Sequence, residues 1–135
     1  MTNLTELAKD IFEDNAAKGF WDHDRPLTET TMLIVTELAE AVEEERAGNA
    51  DIYYRDTSTN EAVLIRDTFI SSHGLVRTGP ATSLPLKPEG VDIELIDALI
   101  RLLDLLGSRG VDVDELLKQK RAYNATRPAR HGKAY

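Results

Sequence analysis

Residues 91–106 read Val-Asp-Ile-Glu-Leu-Ile-Asp-Ala-Leu-Ile-Arg-Leu-Leu-Asp-Leu-Leu, and the pattern of this stretch decides the fold. At about 100° per residue its apolar side chains cover an arc of roughly 240°, far wider than a helix lying on a protein surface needs. A helix of this kind is expected to be buried on most of its sides. Glu94, Asp97, Arg101 and Asp104 all fall in the remaining strip, so even the charged side of the helix is expected to face into the assembly. Charges in such a place are unfavourable unless they are paired or bound to metal. Glu94 and Asp97, three residues apart, share one helical face and form a two-carboxylate arm; Arg101, one turn on, offers the alternative of an ordinary ion pair.

A second arm of the same kind lies far away in sequence. The stretch from about Glu29 to Ala47, closed by Gly48-Asn49, has helical spacing, with Ile34, Val35, Leu38 and Val42 as its apolar stripe. Glu37 and Glu40 stand three residues apart within it, and Glu44 follows one turn beyond Glu40. Two such helices packed side by side would aim four carboxylates at one point. Oxygen ligands in that arrangement suit a hard divalent cation, above all magnesium, for which manganese can substitute. The competing reading of each pair by itself is a solvated helix face.

Composition bounds the function classes. The 135 residues fit one domain, 1–135, and 41% apolar with 30% charged residues describes a globular chain. No apolar run is long enough to span a bilayer and the N-terminus lacks the pattern of a signal peptide, so a cytoplasmic protein is expected. The absence of cysteine excludes disulfides, zinc-thiolate sites and a cysteine nucleophile. A net charge of −8 argues against a nucleic-acid polymer or a membrane as partner. The charge is nevertheless uneven: from Lys118 onward there are six basic residues and no acidic one. An acidic body with a basic tail can hold a cation with the first and phosphate oxygens with the second, or the tail can simply neutralise the body.

The remaining elements follow from periodicity and punctuation. Leu4, Leu7, Ala8, Ile11 and Phe12 predict a helix over 4–17, stopped at Gly19, and a fourth helix is predicted from a cap at Asp112 or Asp114 to about Ala125, stopped by Pro128. The short loop before that last helix favours an antiparallel pair with the third. Residues 49–90 break the helical pattern. Ile52-Tyr53-Tyr54 and Ala62-Val63-Leu64-Ile65 flank the turn-like run Asp56–Asn60, so a β-hairpin is expected there, within an insertion of about 51–85 between helices 2 and 3. Gly74 to Gly79 has the glycine spacing of a phosphate-binding loop, but Pro80 and Ala81 stand where lysine and a hydroxyl are needed. No Glu-x-x-His is present, which removes ferritin-like di-iron chemistry, and no serine sits in a Gly-x-Ser-x-Gly turn.

Taken in order, Glu37-x-x-Glu40 and Glu94-x-x-Asp97 resemble the metal-binding signature of the MazG-like nucleoside triphosphate pyrophosphohydrolases, a superfamily that includes dimeric dUTPases and phosphoribosyl-ATP pyrophosphohydrolases. The similarity extends to Lys18-Gly19-Phe20-Trp21, to Lys87-Pro88-Glu89-Gly90 and to Lys120-x-x-Tyr123-Asn124-x-x-Arg127-Pro128. The resemblance implies an all-α, four-helix bundle interrupted by the insertion. It further implies magnesium-dependent hydrolysis of a nucleoside triphosphate to monophosphate and pyrophosphate, in a homodimer or homotetramer engaged in nucleotide-pool housekeeping. Glu37, Glu40, Glu94 and Asp97 would bind the metal, with Glu37, Glu40 and Glu44 as catalytic candidates. Lys18, Lys120, Arg127, Arg130 and Lys133 would meet phosphates, Asn124 the base or sugar, and Trp21 would stack on the base. Thr36 departs from a glutamate that many members carry. That departure and the insertion keep an alternative open, a catalytically silent nucleotide-binding or protein-interaction bundle of the same fold.

Overall fold

A computed structural model describes residues 3–63, 68–71, 74–77, 86–132 and 134. It is mostly helical, with helices α1 (Leu4–Ala17), α2 (Leu27–Arg46), α3 (Val91–Ser108) and α4 (Val113–Ala125), and strands β1 (Tyr53–Asp56), β2 (Glu61–Val63), β3 (Thr68–Ser71), β4 (Gly74–Arg77) and β5 (Lys87–Glu89). The all-α expectation is therefore corrected: the central segment carries an antiparallel sheet of order β2-β1-β5 and a separate β3-β4 hairpin. The chain divides into two compact units, Met1–Thr30 with Ile100–Tyr135, and Thr31–Leu99.

In the first unit the start of α1 is locked to the start of α4. Asn3 caps α1, its side chain accepting from the amides of Thr5 at 2.9 Å and Glu6 at 3.1 Å. The carboxylate of Asp114 accepts from the amides of Leu4 and Thr5 at 3.2 and 2.8 Å and from the Thr5 hydroxyl at 2.7 Å, while the Asp114 amide returns a bond to Thr5 Oγ1 at 3.1 Å. Amides that the first turn of a helix leaves without partners are thus satisfied from another helix. These bonds, that of the Thr5 hydroxyl foremost, hold Asp114 below the usual carboxylate range. This contact is between the fourth helix and α1, where the sequence reading expects a pairing with the third. Gly19, at φ +87°, ends α1 with its amide on Ala16 O and that of Phe20 on Asn15 O, a left-handed closure that favours glycine.

The C-terminal half of α3 meets α1 at Gly107. A Cβ placed there would lie 2.2 Å from the carbonyl oxygen of Ala8, a residue 1% exposed. The third helix thus continues through a glycine because any side chain would push α1 away.

In the second unit the predicted hairpin forms around the predicted turn. β1 pairs with β2 in the register Tyr54↔Val63 and Asp56↔Glu61. Asp56, 3% exposed, organises the turn by accepting from the Ser58 amide and hydroxyl at 2.9 and 2.6 Å. Leu64 and Ile65, expected in the same strand, lie outside the described residues. β5 is a strand the sequence does not announce. Its Lys-Pro-Glu composition is poor for a sheet, and Pro88 is accommodated because β5 is an edge of the sheet. At the next residue, Gly90 adopts φ +116°, and a Cβ there would come within 2.4 Å of Asp51 O. That same carbonyl accepts from the Asp92 amide at 3.0 Å, so the chain two residues before β1 caps the start of α3.

Burial on most sides of α3 is not achieved within one chain. Ala98 and Leu103 are buried, but Leu95, Ile96, Leu99, Ile100 and Leu102 are exposed, as are Met32, Val35, Leu38 and Val42 of α2. No helix among the described residues is long and apolar enough to cross a membrane.

Gly107→Ala is expected to destabilise the protein by about 1–3 kcal/mol through overpacking against α1, read as a lowered denaturation midpoint at unchanged slope. An unchanged midpoint would show that α1 yields freely at this contact.

Candidate metal centre

The two helical arms meet in the second unit. Carboxylate oxygens of Glu37, Glu94 and Asp97 lie within 4.8 Å of one another, with Glu37 only 7% exposed. Glu40, one turn along α2 from Glu37, is hydrogen-bonded to Glu94 and completes a group of four acids. Spacing explains the convergence: each helix offers carboxylates from adjacent turns of one face, and Gly90 and the Asp51 carbonyl hold the first turn of α3 against the sheet.

Electrostatics record the crowding. Burial, followed by the charge of Glu40 and its hydrogen bond, then by the charges of Asp97 and Glu37, raises Glu94 to about 7. A carboxyl that keeps its proton near neutrality lowers the repulsion within the group. A divalent cation would do the same more effectively, and the donor set matches one kind of metal: all oxygen, no imidazole and no thiolate. That set fits magnesium or manganese, whereas zinc and copper sites draw on nitrogen and sulfur.

Glu44 is separated from the group by its own partners. It lies on nearly the same face of α2 as Glu37 but about 10 Å further along the axis, at 1.5 Å per residue. There it accepts from the Tyr53 hydroxyl at 3.1 and 3.2 Å and from the Asn49 amide at 2.8 Å. Thr36, where the resembling family carries a further glutamate, turns its hydroxyl onto Leu33 O at 2.6 Å.

The substrate-binding candidates belong to the first unit, and one of them is tied into its packing. The Trp21 indole donates to Asp104 at 3.0 Å, meets Phe12 edge to face at 5.5 Å and carries the Arg25 guanidinium over its ring at 5.1 Å. Asp104 is itself 8% exposed, so this bond satisfies a buried acid. Lys18 caps the C-terminus of α1 through its backbone amide. Lys120, exposed on α4, sits over the Tyr123 ring at 5.3 Å; Asn124 and Arg127 are exposed, and Arg130 donates to Ala134 O at 2.8 Å. Lys133 lies outside the described residues.

Around the acids the sheet contributes polar groups that the sequence reading passes over. Glu89 accepts from Arg55 Nε and from Lys87 Nζ, each at 2.9 Å, and the Tyr53 hydroxyl stands between Glu44 and Glu89. The available signal was the strand composition around Tyr53 and the Lys87-Pro88-Glu89-Gly90 run; the pairing of β1 with β5 that joins them is not visible in sequence.

No protein-family model, curated protein or solved structure matches the chain. The family resemblance therefore stands on the motif residues themselves.

Linkage fixes how the centre responds to pH. Glu94 in the folded protein keeps its proton up to about 7, against an ordinary value of 4.5. Between those values the folded state binds more protons than the unfolded, so this group lowers stability as pH rises through the window. In chelator-treated protein the melting temperature of wild type should fall relative to Glu94→Gln from pH 4.5 to 7, and magnesium at pH 7.5 should restore it. Parallel curves for the two proteins, insensitive to magnesium, would contradict the crowding described here.

Proposed function

We propose that this protein is a magnesium-dependent nucleoside triphosphate pyrophosphohydrolase that releases pyrophosphate and a nucleoside monophosphate. The observation that carries the reading is the meeting of Glu37 and Glu40 from α2 with Glu94 and Asp97 from α3. The same two motifs, in the same order, support it through their resemblance to the MazG-like enzymes.

In this reading Glu37, Glu94 and Asp97 hold the cation, with Glu40 alongside. Magnesium, when bound, neutralises phosphate oxygens and lowers the pKa of a coordinated water; manganese would serve in its place. Glu40 is the more exposed carboxylate and takes the proton of the attacking water. A new oxygen bond forms at the α-phosphorus, the bond to the bridging oxygen of the β-phosphate breaks in line with it, and pyrophosphate departs with the electron pair. Glu44 supports from outside, held by Tyr53 and Asn49. The parts of Lys18, Trp21, Lys120, Asn124, Arg127, Arg130 and Lys133 in binding substrate rest on the resemblance alone.

The exposed apolar residues of α2 and α3 support assembly into a homodimer or homotetramer, since contiguous apolar surface of this kind marks an interface. Thr36, bonded to its own helix and contributing no carboxylate, favours the second reading, a silent nucleotide-binding bundle.

Pyrophosphate release from a panel of ribo- and deoxynucleoside triphosphates distinguishes the two. The wild type should release it only with magnesium or manganese. Glu40→Gln and Asp97→Asn should each lower kcat/KM by about a thousandfold or more at unchanged helicity. Retained activity in both variants would remove the metal centre from the reaction; binding of nucleotide without any release would favour the silent bundle.

A further inference from the structure

The sheet has so far served only to brace the helices, yet its edge strand β5 also carries a cation into the corner where α3 begins. β5 ends at Glu89, one residue before Gly90, and α3 begins at Val91. Gly90 packs against Asp51 O so closely that no side chain fits, and the Glu94 amide bonds back to Gly90 O at 3.1 Å. The strand and the first turn of the helix that carries Glu94 are therefore one rigid corner. Lys87 stands three residues before that corner, and its ammonium group is held above its usual pKa by its bond to Glu89 first, then by the charge of Glu89 and, less strongly, that of Glu94.

Its position is held from its own strand. Lys87 and Glu89 are two residues apart and so share one face of β5, and Glu89 Oε1 accepts from Lys87 Nζ at 2.9 Å. Glu89 is in turn fixed on its other oxygen by Arg55 Nε at 2.9 Å, and Arg55 Nη1 is spent on Asn60 O at 2.9 Å. The lysine side chain is nevertheless 61% exposed, against 30% for Arg55. An ammonium group has three donors, of which Glu89 accepts one.

The other described cations of this unit point elsewhere. Arg46 pairs with Glu43 at 3.0 Å, and nine residues from Glu37 it lies about 180° around the helix from it. Arg55 is committed to Glu89 and to the turn. Among the described side chains of residues 31–99, Lys87 is thus the exposed cation on the strand that leads directly into the helix of Glu94 and Asp97. A lysine so placed is a mobile point charge, suited to phosphate oxygens whose own position is set by a metal.

We infer that Lys87 is a substrate-binding residue, its ammonium group contacting phosphate oxygens of a nucleoside triphosphate held at the acidic centre. The inference rests on the proposed function and adds to it a residue contributed by the edge strand β5. Glu89 then acts as a positioning residue that keeps the ammonium group from collapsing onto Glu94.

The test uses the full chain. Wild type, Lys87→Met and Lys87→Arg are compared in steady-state pyrophosphate release on a substrate from the panel, with the magnesium concentration for half-maximal activity measured for each. Loss of a charged contact to phosphate should raise KM about ten- to a hundredfold in Lys87→Met, with a smaller change in kcat and the magnesium requirement unaltered. Lys87→Arg should recover most of the loss, and the rise in KM with kcat little changed separates a phosphate contact from a purely structural role in β5. Binding of inorganic pyrophosphate with magnesium, followed by calorimetry, should weaken in Lys87→Met in the same proportion. If the wild type turns over and Lys87→Met keeps its KM and its pyrophosphate affinity, the assignment of Lys87 is wrong while the reaction stands. If the wild type releases no pyrophosphate from any triphosphate, the reaction itself fails and Lys87 falls with it.

Discussion

Mutual repulsion of four carboxylates is the constraint around which the second unit is arranged. Glu37 is buried, Glu94 and Asp97 are half-buried, and Glu40 bonds to Glu94. Left to itself such a group would drive α2 and α3 apart, since like charges at this range repel and burial strips away the water that would screen them. The structure answers with backbone restraints on α3, and Lys87 of β5 adds a cation on the strand that leads into it. α3 cannot retreat easily, because its first turn is capped by Asp51 O and wedged at Gly90. The sheet is tied to α2 through Tyr53 on Glu44 and to α3 through Glu89 in β5. A cation bound among such acids, as proposed above, would relieve this repulsion and bind the more strongly for it.

The same helices carry a second imbalance. The faces of α2 and α3 bearing Met32, Val35, Leu38, Val42, Leu95, Ile96 and Leu99 are left open in the single chain. Buried apolar residues among those described are few and mostly small: Ala8, Ala41, Leu86, Ala98 and Leu103. A helix such as α3, apolar over most of its circumference, gains stability only when something covers that surface. Acids and apolar surface thus share the two longest of the described helices, and the metal and the homo-oligomer proposed above would answer both at once.

Much of this was legible from residues. The 3.6-residue period placed all four helices, because amphipathic spacing and the stops at Gly19 and Gly48 are local properties, while the end of the third ran on through Gly107 to Ser108. Pairing Glu37-x-x-Glu40 with Glu94-x-x-Asp97 was legible for the same reason. β5 was not, since Lys87-Pro88-Glu89 has no strand propensity and pairs only because β1 lies beside it. The departure of Glu44 toward Tyr53 was equally hidden: helical spacing gives a residue's face but not the partner that claims it. The resemblance gives Trp21 to a nucleotide base, while its bond to Asp104 spans 83 residues. Long-range polar pairings of this kind have no period.

The central claim is that the four acids form one cation centre, and the most direct measurement is manganese binding followed by electron paramagnetic resonance. Wild type should bind manganese with a protein-altered spectrum, release it to excess magnesium, and lose the site in Glu37→Gln and Asp97→Asn alike. Free-ion spectra throughout the wild-type titration, or binding that both variants retain in full, would contradict the account.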